Sequence, residues 1–180
     1  LVGRWWAPAG FGKTSLVSQW LEQEKTGHAW LTLDHRGNAP ALFWNAVASA
    51  LARVNPRFAI RESTLLAALE PGAAVDPVTM LINRLADYSR TWQAPSRLVL
   101  VLDDFHLLDQ QVLLEQIRRF IDFAPGFLRI VCISRLDPPI RTAPLLARPQ
   151  TVRLGPEALR FDLACNRKFL QARWPTSLSP

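Results

Sequence analysis

An eight-residue segment near the start of the chain constrains the fold more than any other feature. Residues 7–14 read Ala-Pro-Ala-Gly-Phe-Gly-Lys-Thr and lie between an apolar run and an amphipathic segment. This is the pattern GxxxxGK[ST] in the strand-to-helix setting that it requires, with Ala7 at the position usually held by glycine. Alanine is small enough for that position. The segment therefore predicts a strand, a phosphate-binding loop and a helix, in that order.

The residue types in this loop suit a bound phosphate chain. Gly10 and Gly12 can adopt positive φ angles and allow close backbone approach, so that successive N–H groups point at the β-phosphate. Lys13 would neutralise the β- and γ-phosphates, and the hydroxyl of Thr14 would ligate Mg²⁺. A glycine-rich turn with an incidental lysine is the alternative. The predicted nucleotide-contacting residues are Ala7, Gly10, Phe11, Gly12, Lys13, Thr14 and Ser15.

Short apolar runs alternate with segments of helical periodicity along the chain. This alternation is typical of a parallel sheet covered by helices on both faces. We therefore predict a three-layer α/β fold of the P-loop NTPase type with a mostly parallel, five-stranded sheet. The expected strands are Leu1 to Trp6, Ala29 to Leu33, Leu98 to Leu102, Leu128 to Ser134 and Thr151 to Leu154.

Amphipathic segments lie between these runs and are predicted to pack on the sheet as helices. The first two carry apolar stripes that include Leu16 and Val54, respectively. A third helix begins at Asp76 and Pro77 and ends before Pro95. Three further segments complete the prediction: a helix from Gln110 to Phe123, a short helix around Leu65 to Leu69, and a proline-rich irregular connector at 137–149.

Two adjacent acids, Asp103 and Asp104, follow the apolar run Leu98 to Leu102. Such a run predicts a buried parallel strand that delivers carboxylates to the carboxyl edge of the sheet. In a phosphate-loop protein this is the Walker B strand. Asp103 is then a magnesium ligand, directly or through water, and Asp104 is the catalytic candidate that polarises the attacking water. The alternative is that both acids merely cap the following turn.

Arg135 follows the next apolar run and is expected at the same edge of the sheet. A guanidinium there can sense the γ-phosphate, because it loses a strong partner when that phosphate leaves. A solvated strand end is the alternative. His106 lies close to the acids in sequence, and we expect it to pack or to hydrogen-bond. Trp20, Trp30 and Trp44 are expected in the core.

The composition excludes several classes of protein. Of the 180 residues 49% are apolar and 20% charged, which is typical of a globular domain. No apolar run is long enough to span a membrane, and the first residues do not resemble a signal peptide. Cys132 and Cys165 lack the spacing of a zinc site. These features predict a soluble, cytoplasmic protein. The net charge of +6 leaves two interpretations open for the basic last quarter, a nucleic-acid-binding face or a solvated surface.

The motifs, taken together and in order, resemble the NTPase domain of the MalT-like regulators. These are LuxR-type transcriptional activators of the STAND class of signal-transduction ATPases. The resemblance implies an ASCE/AAA-like fold in which the strand before Arg135 lies between the strands that carry the phosphate loop and the two acids. It also implies an NTPase domain at 1–155 and the start of a helical or winged-helix domain at 156–180. The matching segments are 7–16, 29–34, 100–108 and 133–135.

The resemblance further implies a molecular switch. ADP would hold a closed monomer, whereas ATP·Mg²⁺ and an unknown inducer would drive self-association, so that a helix-turn-helix domain outside this chain binds DNA. Hydrolysis would be slow and would reset the switch. An AAA-type ATPase with active turnover that remodels DNA or protein is the alternative, with Arg118 or Arg119 as the arginine finger. A nucleotide-independent interaction module is a third reading.

The first strand departs from the expected pattern. Gly3, Arg4, Trp5 and Trp6 stand where a buried parallel strand usually has aliphatic residues. The chain also lacks the upstream segment that resembles the family's adenine-side contact, and it stops before the family's winged-helix module, sensor-arm repeats and DNA-binding domain. From these three departures we expect a fragment of a longer regulator whose affinity for nucleotide is weak.

Overall fold

The computed structural model describes residues 2–68, 70, 72–91, 97–138 and 151–160. Five strands are present in these ranges, and each overlaps a predicted strand. Most of the predicted connector at 137–149 and all of 161–180 lie outside the described residues, so the domain boundary after residue 155 stays a prediction. The strands are β1 (Val2–Trp6), β2 (Gly27–Thr32), β3 (Leu98–Asp103), β4 (Leu128–Ser134) and β5 (Thr151–Leu154).

The strands form a single parallel sheet in the order β2-β3-β4-β1-β5. β4 therefore lies between β3 and β1, as the family resemblance implies. Because all four pairings are parallel, the carboxyl ends of the strands meet at one edge of the sheet. The phosphate loop, the two acids and Arg135 all follow strands at this edge.

Helices connect the strands and cover both faces of the sheet. Their positions confirm the predicted α/β architecture, with ends that differ by a few residues. The described helices are α1 (Lys13–Glu24), α2 (Pro40–Val54), α3 (Glu62–Ala67), α4 (Pro77–Thr91), α5 (Gln111–Phe123) and α6 (Pro156–Leu159).

The larger part of the core lies between the sheet and α2, α4 and α5. Trp44 is fully buried there, and its indole N–H donates to the side-chain carbonyl of Gln116 at 2.7 Å. On the opposite face, Val17 and Leu21 of α1 pack against valines of β3 and β4. Full burial of a side chain of this size contributes roughly 1.5–3 kcal/mol relative to exposure. The two apolar clusters therefore hold the three layers together.

Two residues on predicted apolar stripes are not buried. Leu16 is 42% exposed and Val54 is 36% exposed, whereas the neighbouring Val17 and Leu51 are buried. α1 contacts the sheet through Val17 and Leu21, and Leu16 is not part of that apolar cluster. Trp20 and Trp30 pack against that cluster and are half-buried. The prediction of core positions is therefore correct for Trp44 and only partly correct for these two tryptophans.

The irregular composition of β1 is accommodated by specific contacts. β1 pairs with β4 on one side and β5 on the other, so it is an interior strand. Arg4 is only 5% exposed, and its guanidinium hydrogen-bonds to the carboxylate of Asp137 and to the Pro138 carbonyl oxygen at 2.8 Å. A buried charge requires such partners. The strand that the sequence marks as unusual is thus stabilised by a polar contact that bridges 133 positions in sequence.

Among the described segments, every helix is too short or too polar to cross a lipid bilayer.

Cys132 is fully buried, and burial raises the pKa of its thiol to about 12. His28 and His35 are exposed.

Candidate functional site

The phosphate loop connects β1 to α1 in the predicted setting. Ala7 is completely buried, and its N–H donates to the Ser134 carbonyl oxygen at 3.3 Å, which attaches the loop to the end of β4. Gly10 and Gly12 have φ angles of 85° and 69°. No heavy atom lies within 4 Å of a Cβ built at either glycine, so their outer side is open. The backbone is therefore shaped for a ligand that approaches from the carboxyl edge of the sheet.

Lys13 is the first residue of α1, and its side chain folds back over the loop. Its ammonium group donates to the carbonyl oxygens of Ala7 at 2.7 Å and Pro8 at 3.0 Å. Burial lowers the pKa of Lys13, and the nearby carboxylate of Asp103 opposes this effect. The carbonyl oxygens of the loop thus bind the Lys13 ammonium group. A charged phosphate group would bind this ammonium group more strongly than the neutral carbonyls do.

Thr14 connects the loop to the strand that carries the acids. Its hydroxyl lies 3.2 Å from Oδ2 of Asp103 and donates to it. Asp103 is 7% exposed, and burial raises its pKa although hydrogen bonds from the Asp104 N–H and the Thr14 hydroxyl act in the opposite direction. A hydroxyl oxygen and a carboxylate oxygen, two ligand types that Mg²⁺ prefers, are therefore adjacent at the mouth of the loop.

Asp104 sits at the end of β3 in the left-handed region, with φ 57° and ψ 38°. Its Oδ1 lies 3.9 Å from Nε of Arg135 and 3.8 Å from Nδ1 of His106. These separations are too long for hydrogen bonds. The Asp104 carboxylate therefore lies close to two potential hydrogen-bond donors without being bonded to either.

His106 lies beside the Asp104 carboxylate. Its position two residues after Asp104 in the sequence is consistent with this placement. Its Nδ1 is buried and has no hydrogen-bond partner among the described residues. Burial lowers the pKa of His106, and the charge of Asp104 opposes this effect. Sequence reasoning assigned His106 a packing or hydrogen-bonding role, and the structure adds that its ring faces the second acid.

Arg135 extends from the end of β4, with 58% of its side chain exposed. Phe11 is half-buried, and Thr14 and Ser15 are exposed at the start of α1. Ser134, which sequence reasoning did not single out, is 1% exposed, and its hydroxyl accepts from the Leu136 N–H at 3.3 Å. The predicted site residues therefore converge on one edge of the sheet from β1, β3 and β4.

The oxygen ligands at this edge fit a magnesium ion that binds together with phosphates. Among the described residues, no group of three His, Cys, Asp or Glu side chains could hold a metal ion alone. Mg²⁺ bound to a nucleotide needs only one or two protein oxygens, since phosphates and water supply the rest. Thr14 and Asp103 meet that requirement.

The two proposed arginine-finger candidates differ in their surroundings. The guanidinium of Arg119 pairs with Asp76 at the start of α4. Arg118 is exposed on the same helix.

Comparisons with known proteins agree with this geometry. MalT transcriptional regulators of Vibrio cholerae and Serratia proteamaculans are 29% and 31% identical to this chain over 93% and 92% of its length. The same regulator of Cronobacter sakazakii is 30% identical over 97% of the chain. The chain spans 18% of the length of each of these relatives. The resemblance to MalT-like regulators is therefore confirmed.

A solved structure shares the fold. Drosophila ORC bound to poly(dA/dT) DNA and Cdc6 matches 94% of this chain with a TM-score of 0.50 at 11% identity, over 27% of the solved chain. The family model described as the AAA ATPase domain matches residues 6–125. This match includes the phosphate loop, both acids and the strands β2 and β3, and it supports nucleotide binding. The chain accordingly belongs to the AAA ATPase domain family.

Proposed function

We propose that this chain is the ATP-binding switch domain of a MalT-like transcriptional regulator, which binds ATP·Mg²⁺ and hydrolyses it slowly. The observation that carries the proposal is the 3.2 Å contact between the Thr14 hydroxyl and the Asp103 carboxylate at the mouth of the phosphate loop. This contact brings the phosphate loop and the acids that follow β3 into one site. The similarity to regulators named MalT supports the regulatory context.

The loop residues bind the phosphates in this proposal. The N–H groups of Gly10, Phe11 and Gly12 and the start of α1 at Ser15 face the β-phosphate, where the helix N-terminus favours negative charge. Lys13 exchanges the carbonyls of Ala7 and Pro8 for oxygens of the β- and γ-phosphates. This exchange is favourable because a charged acceptor binds an ammonium group more strongly than a neutral carbonyl does.

The hydroxyl of Thr14 and the carboxylate of Asp103 would hold the magnesium ion. A bound ion would neutralise charge on the phosphate oxygens and orient them. The two protein groups are joined by a hydrogen bond of 3.2 Å, so the residues that would hold the ion already lie together.

Asp104 orients the attacking water and accepts its proton. The water oxygen forms a bond to the γ-phosphorus as the bond to the β–γ bridging oxygen breaks, which gives ADP and inorganic phosphate. Arg135 binds the γ-phosphate and loses this partner after hydrolysis. The 3.9 Å separation between Arg135 and Asp104 supports a site in which both groups face the same phosphate.

The remaining parts of the switch lie outside this chain in the proposal, because the chain spans 18% of the length of its regulator relatives. They include a helix-turn-helix domain that binds DNA, a surface for self-association and a domain that binds the inducer. Residues 156–180 are proposed to begin the next domain. A cytoplasmic location follows from a role in transcription.

An AAA-type ATPase with active turnover is the second candidate, because family membership is compatible with either rate. Such an enzyme needs an arginine finger from a neighbouring subunit. The pairing of Arg119 with Asp76 disfavours that residue for the role and leaves the exposed Arg118.

Steady-state hydrolysis separates these candidates and tests the role of Asp104. We expect a turnover well below the range of about 1–10³ s⁻¹ that is typical of enzymes. Asp104→Asn should bind ATP with nearly unchanged affinity and hydrolyse it at least about tenfold more slowly, since asparagine cannot accept the proton. Asp109→Asn, an exposed acid six residues beyond Asp103, is the matched control. Loss of ATP affinity in Asp104→Asn would instead place Asp104 among the metal ligands.

A further inference from the structure

Arg4 is a buried charge that the proposed function does not use. Its side chain is 5% exposed in the middle of β1, an interior strand. A guanidinium in such a position is destabilising unless it is paired. Aliphatic side chains would stabilise a buried parallel strand more simply. The contacts of Arg4 therefore need an explanation beyond the stability of the sheet.

Two described partners of Arg4 belong to the segment that follows β4. Its guanidinium pairs with the carboxylate of Asp137 and donates to the Pro138 carbonyl oxygen at 2.8 Å. The planar, multidentate guanidinium fixes the orientation of its acceptors more strictly than an ammonium group does. Arg4 thus holds both the side chain and the backbone of this segment.

A second arginine holds the same carboxylate from the other side. Arg153 of β5 approaches Asp137 with a nitrogen–oxygen distance of 3.3 Å, and its guanidinium lies over the ring of Trp6, 5.1 Å from the centroid. Gly155 allows this arrangement, because a Cβ there would lie 3.0 Å from Cζ2 of Trp6. Asp137 consequently joins β1, β5 and the segment after β4. We refer to Arg4, Asp137 and Arg153 as the arginine clamp.

The arginine clamp lies two residues from Arg135. The segment leaves the sheet at the buried Ser134, whose hydroxyl accepts from the Leu136 N–H, and the clamp holds it again at Asp137. The side chains of Arg135 and Leu136 between these anchors are mostly exposed. The two anchors therefore determine the direction in which the Arg135 guanidinium extends toward Asp104.

We propose that Arg4 is a positioning residue for Arg135: through Asp137 it fixes the segment that places Arg135 at the γ-phosphate, and it thereby sets the preference of the site for ATP over ADP. This inference rests on the proposed function. A purely structural role for Arg4 would alter the stability of the chain without altering that preference.

The experiment compares the dissociation constants of ATP and ADP, measured by calorimetry with Mg²⁺ on the 180-residue chain. Four proteins are required: wild type, Arg135→Ala, Arg4→Met and the double variant. Methionine is chosen because an apolar side chain of similar length can replace a buried ion pair without leaving an unpaired charge at position 4. Arg97→Met is the control, because Arg97 pairs with Glu24 at 3.3 Å near the opposite edge of the sheet.

We expect Arg135→Ala to lower the ratio of the ADP to the ATP dissociation constant by about fivefold or more, the usual lower range for coupled sites. Arg4→Met should lower this ratio in the same direction by about threefold or more, and the double variant should match Arg135→Ala, because the two residues act in one path. Arg97→Met should keep the wild-type ratio. Asp137→Asn, a half-exposed position, should reproduce the effect of Arg4→Met and serves if Arg4→Met does not fold.

Three outcomes would overturn the inference, and they are distinguishable. If Arg135→Ala changes the ratio but Arg4→Met and Asp137→Asn do not, Arg4 only stabilises the sheet and the proposed function stands. If Arg135→Ala itself keeps the wild-type ratio, Arg135 does not sense the γ-phosphate, and both the proposed sensing role and the inference are wrong. Independent, multiplicative effects in the double variant would also count against a path through Arg135.

Discussion

Asp104 combines an unusual backbone conformation with a partly exposed carboxylate. Its φ of 57° is in the left-handed region, where Asp and Asn are tolerated better than most residues because their short side chains hydrogen-bond locally. The N–H of Asp104 donates to the Asp103 carboxylate at 3.0 Å, which stabilises this turn. The second acid is therefore presented to the site by a conformation that also limits which residue can occupy the position.

This conformation gives a prediction about stability. Asp104→Ala should lower the free energy of unfolding by about 1 kcal/mol relative to Asp104→Asn, since alanine is strained in the left-handed region and asparagine is not. Urea denaturation of the two variants without nucleotide measures the difference. Equal stabilities would mean that the turn relaxes to another conformation when the side chain is shortened.

Residue-scale prediction from the sequence was successful where a local pattern defines the chemistry. The glycines of the phosphate loop, Gly10 and Gly12, were correctly predicted to take positive φ angles, because only glycine takes them without strain. The pairing of Arg4 with Asp137 was not predictable, since the two residues are 133 positions apart and no local signal connects them. The proximity of His106 to Asp104 required the turn geometry at the end of β3.

At the scale of elements, the start of α4 shows how a loop residue links two helices. Asp76 accepts hydrogen bonds from the N–H groups of Val78 at 3.0 Å and Thr79 at 3.2 Å, and its carboxylate also pairs with Arg119 of α5. Burial would raise the pKa of Asp76, but the hydrogen bonds from Thr79 and the charge of Arg119 outweigh it and lower the pKa. The capping interaction therefore favours the ionised carboxylate.

Asp76→Ala should lower the free energy of unfolding at neutral pH by about 1–2 kcal/mol, the usual effect of losing such a cap. Because the folded-state pKa of Asp76 lies below its unfolded value, this contribution is present above the unfolded pKa and is lost as the pH falls through the folded one. Chemical denaturation of wild type and variant from pH 7 down to pH 3 tests this. A difference in stability that does not decrease between pH 7 and pH 3 would contradict the linkage.

The elements themselves were largely predictable. Each strand is a short apolar run, and each long helix has an apolar stripe with a recognisable start, such as Asp76-Pro77. The errors concern exposure. Leu16 and Val54 have the correct periodicity but are only partly covered by the described residues, because periodicity does not show how much of a helix surface its neighbours bury.

At the scale of the whole molecule, the sheet order determines the site. Inserting β4 between β3 and β1 brings Arg135 within reach of Asp104, and the pairing of β5 with β1 places Arg153 beside Asp137. This order was available only from the family resemblance, because apolar runs indicate that strands exist and not which strands are neighbours. The candidate site is thus a product of topology as much as of motifs.

The most direct test of the account is a calorimetric titration of the chain with ATP·Mg²⁺ and with ADP. Wild type should show saturable binding at one site. Lys13→Ala should lose most of this affinity, because the ammonium group that leaves the carbonyls of Ala7 and Pro8 for the phosphates is removed. Lys25→Ala, at an exposed lysine just beyond α1, is the matched control and should bind as wild type does. Wild-type affinity in Lys13→Ala would contradict nucleotide binding at this loop, and so the central claim.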